Sequence, residues 1–343
     1  MRQKGFLQLA VLIVCVWLVY SCTKEEKKEI VCWGDSLTSP HHGKGIKGVI
    51  KGMVKRAEAY PEHLQEMLGC DYEIINGGVG GENTLTIMAR QGAYPMKLAH
   101  DVVIFKSDEA KYKTFIGNND VHAFVSTYNE KPVSPLLQCG WDEDSPAQIN
   151  PCTINGKSFY LSSDAKFWKE EGKYKFEYNY YIDADNEWLA TDTLKSGSIV
   201  ETYAMKHLRS KYANVFFVGQ NGGFDDVADL IKQLKAMISY SKSERYIVIS
   251  FHNPNMVINT IPRMREMEDS LSQSFGKHFI NLREYMVKQG LSDAGLQATQ
   301  ADKDSIAKGK VPPQLMTDGT HFTSTGYNEI AQLVYNKMKE LGY

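Results

Sequence analysis

A serine, an aspartate and a histidine are the residues of this chain whose types and spacing can do chemistry. Ser36 stands just past the short apolar run Ile30-Val31-Cys32-Trp33, and Asp318-Gly319-Thr320-His321 lies far downstream. A serine hydroxyl is nearly inert at neutral pH. Nucleophilic acyl transfer therefore needs a base within hydrogen-bond reach and a carboxylate that fixes the base's tautomer. His321 and Asp318 suit those roles, and their spacing of three lets one loop turn the carboxylate back to the imidazole nitrogen that faces away from the serine. Either motif alone is a common turn; the case rests on their occurring together, each beside an expected strand or helix.

Positioning such groups requires a rigid frame. Five continuous apolar runs, at residues 30–33, 72–75, 215–218, 246–250 and 279–282, read as strands buried on both faces of a parallel sheet. Helical patterns fall between or after them, at residues 61–68, 84–90 and 226–239 and in the stretch after Ser324, which carries Ile330, Leu333, Val334, Met338 and Leu341 on one face and can end at Gly342. Alternating strands and helices predict an α/β fold with three α/β/α layers and a five-stranded parallel sheet. Residues 100–205 break the rhythm. Their β-branched and aromatic clusters at 157–161, 174–181 and 198–203, separated by turn signals such as Asn155-Gly156, predict a β-rich insertion, a small sandwich or barrel.

Four blocks carry a family resemblance. Gly34-Asp35-Ser36-Leu37-Thr38 and Asp318-Gly319-Thr320-His321 match the first and last blocks of the SGNH (GDSL-type) hydrolases. Asn76-Gly77-Gly78-Val79-Gly80-Gly81-Glu82-Asn83-Thr84 resembles the second block, and Gly219-Gln220-Asn221 the third, with Gly222 where the family has an aspartate. The resemblance covers residues 29–99 and 206–343 and implies a flavodoxin-like hydrolase domain with Ser36 as nucleophile, His321 as general base and Asp318 as orienting carboxylate. It also implies an oxyanion hole made by the backbone N–H groups of Ser36 and Gly81 and the side-chain amide of Asn221. Such donors are worth about 3–4 kcal/mol each in a dry site. No metal or organic cofactor is expected. The Gly-x-Ser-x-Gly elbow of α/β-hydrolases is absent around Ser36.

Residues 1–21 read as a secretory leader, with Arg2 and Lys4 ahead of an apolar run and Val19-Tyr20-Ser21 ahead of Cys22 in the manner of a bacterial lipobox. The likeness to lipoproteins implies that Cys22 carries lipid, that residues 22–28 form a charged tether, and that the protein sits outside the cytoplasm on a bacterial membrane, at the outer membrane or cell surface. An uncleaved N-terminal anchor helix is the alternative, and it gives the same placement. Losing Arg2 and Lys4 with the leader takes the net charge from −2 to −4, so no basic excess points to nucleic acid. In an oxidising compartment Cys139 and Cys152 are a possible disulfide, whereas Cys32 and Cys70 are expected to be small core residues. No zinc spacing links the cysteines.

A basic segment after the nucleophile, with Lys44, Lys47, Lys51, Lys55 and Arg56, rims the expected pocket or forms a solvated helix face; His41 and His42 beside it are expected to be exposed. Within it, residues 43–48 fit Gly-x-Gly-x-x-Gly but lack the βαβ setting of a dinucleotide site. The insertion's Trp141, Trp168, Tyr178, Tyr180, Tyr181 and Trp188 either fill its own core, the favoured reading, or stack on sugars. The sequence thus points to a lipid-anchored serine esterase whose partners are the membrane and an acylated carbohydrate or other ester. A lipid esterase or lysophospholipase, and a non-catalytic glycan-binding protein on the same scaffold, are the alternatives.

Overall fold

The computed structural model describes residues 26–39, 58–104, 112–118, 120–135, 148–170, 173–184, 191–254 and 258–343. The leader, Cys22, most of the tether, the basic segment with its histidines and glycine pattern, Cys139, Trp141 and Trp188 lie outside them.

The centre is a five-stranded, wholly parallel sheet of β1 (Lys28–Gly34), β2 (Tyr72–Gly78), β3 (Ala213–Phe217), β4 (Tyr246–Ile249) and β5 (Phe279–Ile280). Its order is β5-β4-β3-β1-β2, so β1 lies between β2 and β3 and the winding reverses there. Helices cover both faces, which is why the strands read as unbroken apolar runs. Val31 and Trp33 point into one core with Ile87 and Met88 of α2 (Thr84–Gln91), Leu230, Leu234 and Met237 of α3 (Val227–Ser241), and Met264 and Leu271 of α4 (Ile261–Phe275). Ile30 and Cys32 point the other way, against Tyr60 and Leu64 of α1 (Tyr60–Leu68) and Ile330, Val334 and Met338 of α5 (Ser324–Leu341). The expected three-layer α/β/α fold is the one observed.

Local chemistry sets the helix boundaries. Asn83, Asp226, Thr260 and Thr323 cap α2, α3, α4 and α5 by accepting a backbone N–H inside the first turn, and Gly342 ends α5 at φ 72°. Helix α4 was not anticipated. Its apolar positions Met264, Met267, Leu271 and Phe275 have helical spacing, but the stretch is polar on average, and its buried Glu268 pairs with Arg283.

The segment between β2 and β3 is β-rich. Val200–Glu201, Cys152–Ile154, Lys157–Glu170, Lys173–Ala184 and Tyr112–Gly117 form one antiparallel sheet, joined by smaller sheets that begin at Met96. Ile154 pairs with Lys157 across Asn155-Gly156, and both turn residues have positive φ (50° and 78°), as a two-residue hairpin of the primed type requires. Ile116, Phe124, Phe159, Tyr180 and Ile182 of this segment share a single continuous core with α2, α3 and the sheet. Tyr180 is therefore a core residue, with Tyr178 packed at its edge. Tyr181 instead meets the half-exposed Phe115 edge-on, at 6.0 Å between ring centroids.

Two cysteines differ in placement. Cys32 is buried in β1, whereas Cys70 is exposed in the short turn Gly69–Asp71, contrary to expectation: the chain leaves α1 there before entering β2, and no layer covers it. Cys152 is buried, its thiol 3.4 Å from the Phe159 carbonyl, while its expected partner lies outside the described residues.

Candidate active site

The carboxyl ends of β1, β2, β3 and β4 converge at the point where the strand order reverses, the usual ligand crevice of an open parallel sheet. Each strand end contributes a loop.

The loop after β1 carries Ser36 in a tight turn. Thr38 N and Ser39 N donate to the Asp35 carbonyl at 3.0 and 2.9 Å, and Leu37 N donates to Asp35 Oδ1 at 2.9 Å. This turn lies directly on the neighbouring backbone. A Cβ on Gly34 would stand 2.7 Å from the Phe217 carbonyl, and one on Gly78 would stand 2.5 Å from Ser39 N, so only glycine fits at either place. Asn76 Nδ2 holds the far side of the turn through the Thr38 carbonyl at 2.8 Å.

Ser36 Oγ is 2.9 Å from His321 Nε2, and His321 Nδ1 is 2.9 Å from Asp318 Oδ2. The last two belong to a loop closed by a bridge between Met316 and Phe322 and by Thr317 N donating to the His321 carbonyl at 2.8 Å. Thr320 N and His321 N both donate to Asp318 Oδ1, at 2.6 and 2.7 Å. Desolvation opposes ionisation of Asp318, but these two amides and the imidazole outweigh it and bring the carboxyl down to about 2. Asp318 therefore stays a carboxylate through neutral pH and can accept the Nδ1–H of His321. That tautomer leaves Nε2 to accept the proton of Ser36.

The three expected oxyanion donors have different surroundings. Among the described residues, neither Ser36 N nor Gly81 N donates to a protein acceptor, and Val79 N, bonded to the Gly34 carbonyl at 3.1 Å, holds the Gly81 loop beside the serine turn. Asn221 reaches the same place, but Nδ2 is 3.1 Å from Asp35 Oδ2 and 3.1 Å from the Glu82 carbonyl. Both of its amide hydrogens are thus engaged, and a substrate oxygen must compete for one of them. Its loop also explains Gly222. That residue has φ 74°, its N–H turns back to Gly219 O at 3.2 Å, and its carbonyl accepts Thr84 N at 2.9 Å, a left-handed conformation that an aspartate adopts at a cost.

Several participants escaped the sequence reading. Asp35 is buried, and desolvation pushes its carboxyl up to about 7. Behind the Gly81 loop, Glu82 and Arg90 form a fully buried ion pair of 2.9 Å, with Arg90 Nη2 also on the Gly77 carbonyl at 2.8 Å. His252, past β4, donates from Nε2 to the Thr320 carbonyl at 2.7 Å, and Asn253 Nδ2 is 3.4 Å from the Gly319 carbonyl. Asp35 and Glu82 stand inside the first and second blocks, which give no sign of their burial, while Arg90, His252 and Asn253 stand outside all four; an Arg on a helix and a lone His give no sign in sequence of being buried. A cavity of about 420 Å³ adjoins the loop that carries Asp318, walled by Asn253, Pro254, Lys310, Met316 and Asp318.

No protein-family model matches this sequence, and no curated protein matches it. Among solved structures, the aryl esterase of M. smegmatis is 12% identical, with a TM-score of 0.38 over 92% of this chain and 99% of that one. A carbohydrate acetylesterase family member from Sinorhizobium meliloti is also 12% identical, with a TM-score of 0.37 over 92% of this chain and 100% of that one.

Proposed function

We propose that this protein is a serine ester hydrolase of the SGNH type, and the observation that carries the reading is the unbroken relay from Ser36 Oγ through His321 to Asp318, with two links of 2.9 Å. In the first half-reaction His321 Nε2 takes the hydroxyl proton as Ser36 Oγ bonds to the acyl carbon. Asp318 offsets the charge of the imidazolium, and the N–H groups of Ser36 and Gly81 face the oxygen that becomes negative. His321 then protonates the departing alcohol, an acyl-enzyme remains on Ser36, and water delivered through the same base releases the acid.

The substrate we propose is a short acyl group, acetyl in kind, on a carbohydrate. The outward Tyr181 and Phe115 of the β-rich segment support this choice, and it accords with our further proposal that the protein is tethered by lipid at Cys22 outside the cytoplasm. Ser36→Ala tests the enzymatic reading. It should abolish hydrolysis of p-nitrophenyl acetate and labelling by a fluorophosphonate; equal turnover by the variant would refute the reading. A series of p-nitrophenyl esters of rising chain length tests the finer one, which requires a preference for the shortest acyl chains.

A further inference from the structure

His252 is fully buried at the end of β4, yet it is polar and lies next to the loop that carries the base. Its Nε2 is 2.7 Å from the Thr320 carbonyl, one residue before His321. An atom facing a carbonyl must donate, so the proton is on Nε2, and Nδ1 has no partner among the described residues. The ring packs 4.6 Å from Phe322, the residue after His321, so both neighbours of the base rest on one side chain. The same residue faces the opposite loop through its backbone. His252 N donates to Gln220 Oε1 at 3.3 Å, and Gln220 Nε2 returns to the Asn253 carbonyl at 3.1 Å, directly before Asn221 in the chain.

We infer that His252 is a positioning residue: by holding the Thr320 carbonyl and packing against Phe322 it aims His321 at Ser36, and its backbone couples that loop to the one bearing Asn221. The inference rests on the esterase reading above. Imidazole suits this place for an electrostatic reason. Burial depresses the basicity of His252 to about 4, so it remains a neutral donor. A permanently cationic donor there would oppose the positive charge that His321 acquires when it takes the serine proton. Nor can His252 serve as a second base, because its unprotonated nitrogen is shielded from solvent and its protonated one is committed to Thr320.

Three substitutions in the full chain test this. His252→Leu removes the donor, His252→Asn keeps an amide that falls short of Thr320, and His252→Gln places an amide N–H near the position of Nε2. A displacement of about 1 Å in a catalytic group can cost on the order of 100-fold. Leu and Asn should therefore lower kcat on p-nitrophenyl acetate by about 10- to 100-fold with KM nearly unchanged, and slow fluorophosphonate labelling of Ser36 in proportion. Gln should recover most of the loss. If the Leu variant does not fold, the Asn and Gln pair decides, since they differ in reach and little else. Wild-type kcat in folded Leu or Asn variants, or a Gln variant no better than Asn, would overturn the inference while leaving the esterase reading intact. A wild-type protein inert to both ester and probe would instead remove the esterase reading, and this inference with it.

Discussion

The buried pair behind the Gly81 loop gives the sharpest prediction. Arg90 and Glu82 are both wholly shielded from water and 2.9 Å apart, and Arg90 also lies 5.6 Å from the centre of the Trp33 ring. Replacing Arg90 with Met keeps the volume of the stem but leaves a carboxylate in a dry core. Breaking a buried pair from one side costs about 3–5 kcal/mol. A chain of 343 residues unfolds with an entropy of roughly 0.7 kcal/mol/K, so Tm should fall by about 4–7 °C. The pH dependence follows from the sign of the shift. Desolvation already raises the Glu82 carboxyl above 4.5 while Arg90 opposes the rise, and the variant removes that opposition. A group whose pKa is raised by folding stabilises fully below its unfolded value and loses that contribution as pH rises through the folded one. The deficit of Arg90→Met should thus be smaller at pH 5 than at pH 8. Adding Glu82→Gln should restore much of the stability at pH 8. Urea unfolding of both variants at the two pH values measures this. A single variant within about 0.5 kcal/mol of wild type at pH 8, or a deficit independent of pH, would show that the pair is not buried as described. Esterase turnover should fall as well, because the Glu82 carbonyl holds Asn221.

Asp318→Asn should lower kcat by on the order of 10³- to 10⁴-fold. The amides of Thr320 and His321 hold Oδ1, so the new NH₂ replaces Oδ2 and faces Nδ1, favouring the tautomer that cannot accept from Ser36; a loss below tenfold in p-nitrophenyl acetate turnover would contradict this. Gly78→Ala places a methyl 2.5 Å from Ser39 N and 2.8 Å from the Thr38 carbonyl carbon, so the nucleophile turn must shift. A cost of about 1–3 kcal/mol in stability with at least tenfold lower kcat is expected, and a variant equal to wild type in both melting and turnover would show that the turn has room.

What could be read in the sequence follows from how each signal arises. Strands buried on two faces leave continuous runs, so β1 to β5 were legible within a few residues, as was the Asn155-Gly156 hairpin, whose backbone demands those residue types. Ser36, His321 and Asp318 could be singled out because the chemistry restricts residue type, and the structure brings all three together. The supports were not legible. Arg90 and Glu82 look like ordinary polar residues near a helix start, and only tertiary packing reveals that neither touches water. His252 and Gln220 act through the main chain of loops distant in sequence, a relation that no local spacing encodes. The aromatics of the β-rich segment alternate, and alternation alone does not say which face is covered; only the core shared with α2 and α3 assigns Tyr180 inward.

The sheet order has a bearing on biosynthesis. Because β1 sits between β2 and β3, and His321 arrives on a loop beyond β5, a polypeptide emerging from the ribosome presents Ser36 before four of the five strands of its sheet exist and His321 only after all five. Until that loop has been made and docked, the hydroxyl of Ser36 lacks its imidazole partner and is an ordinary alcohol.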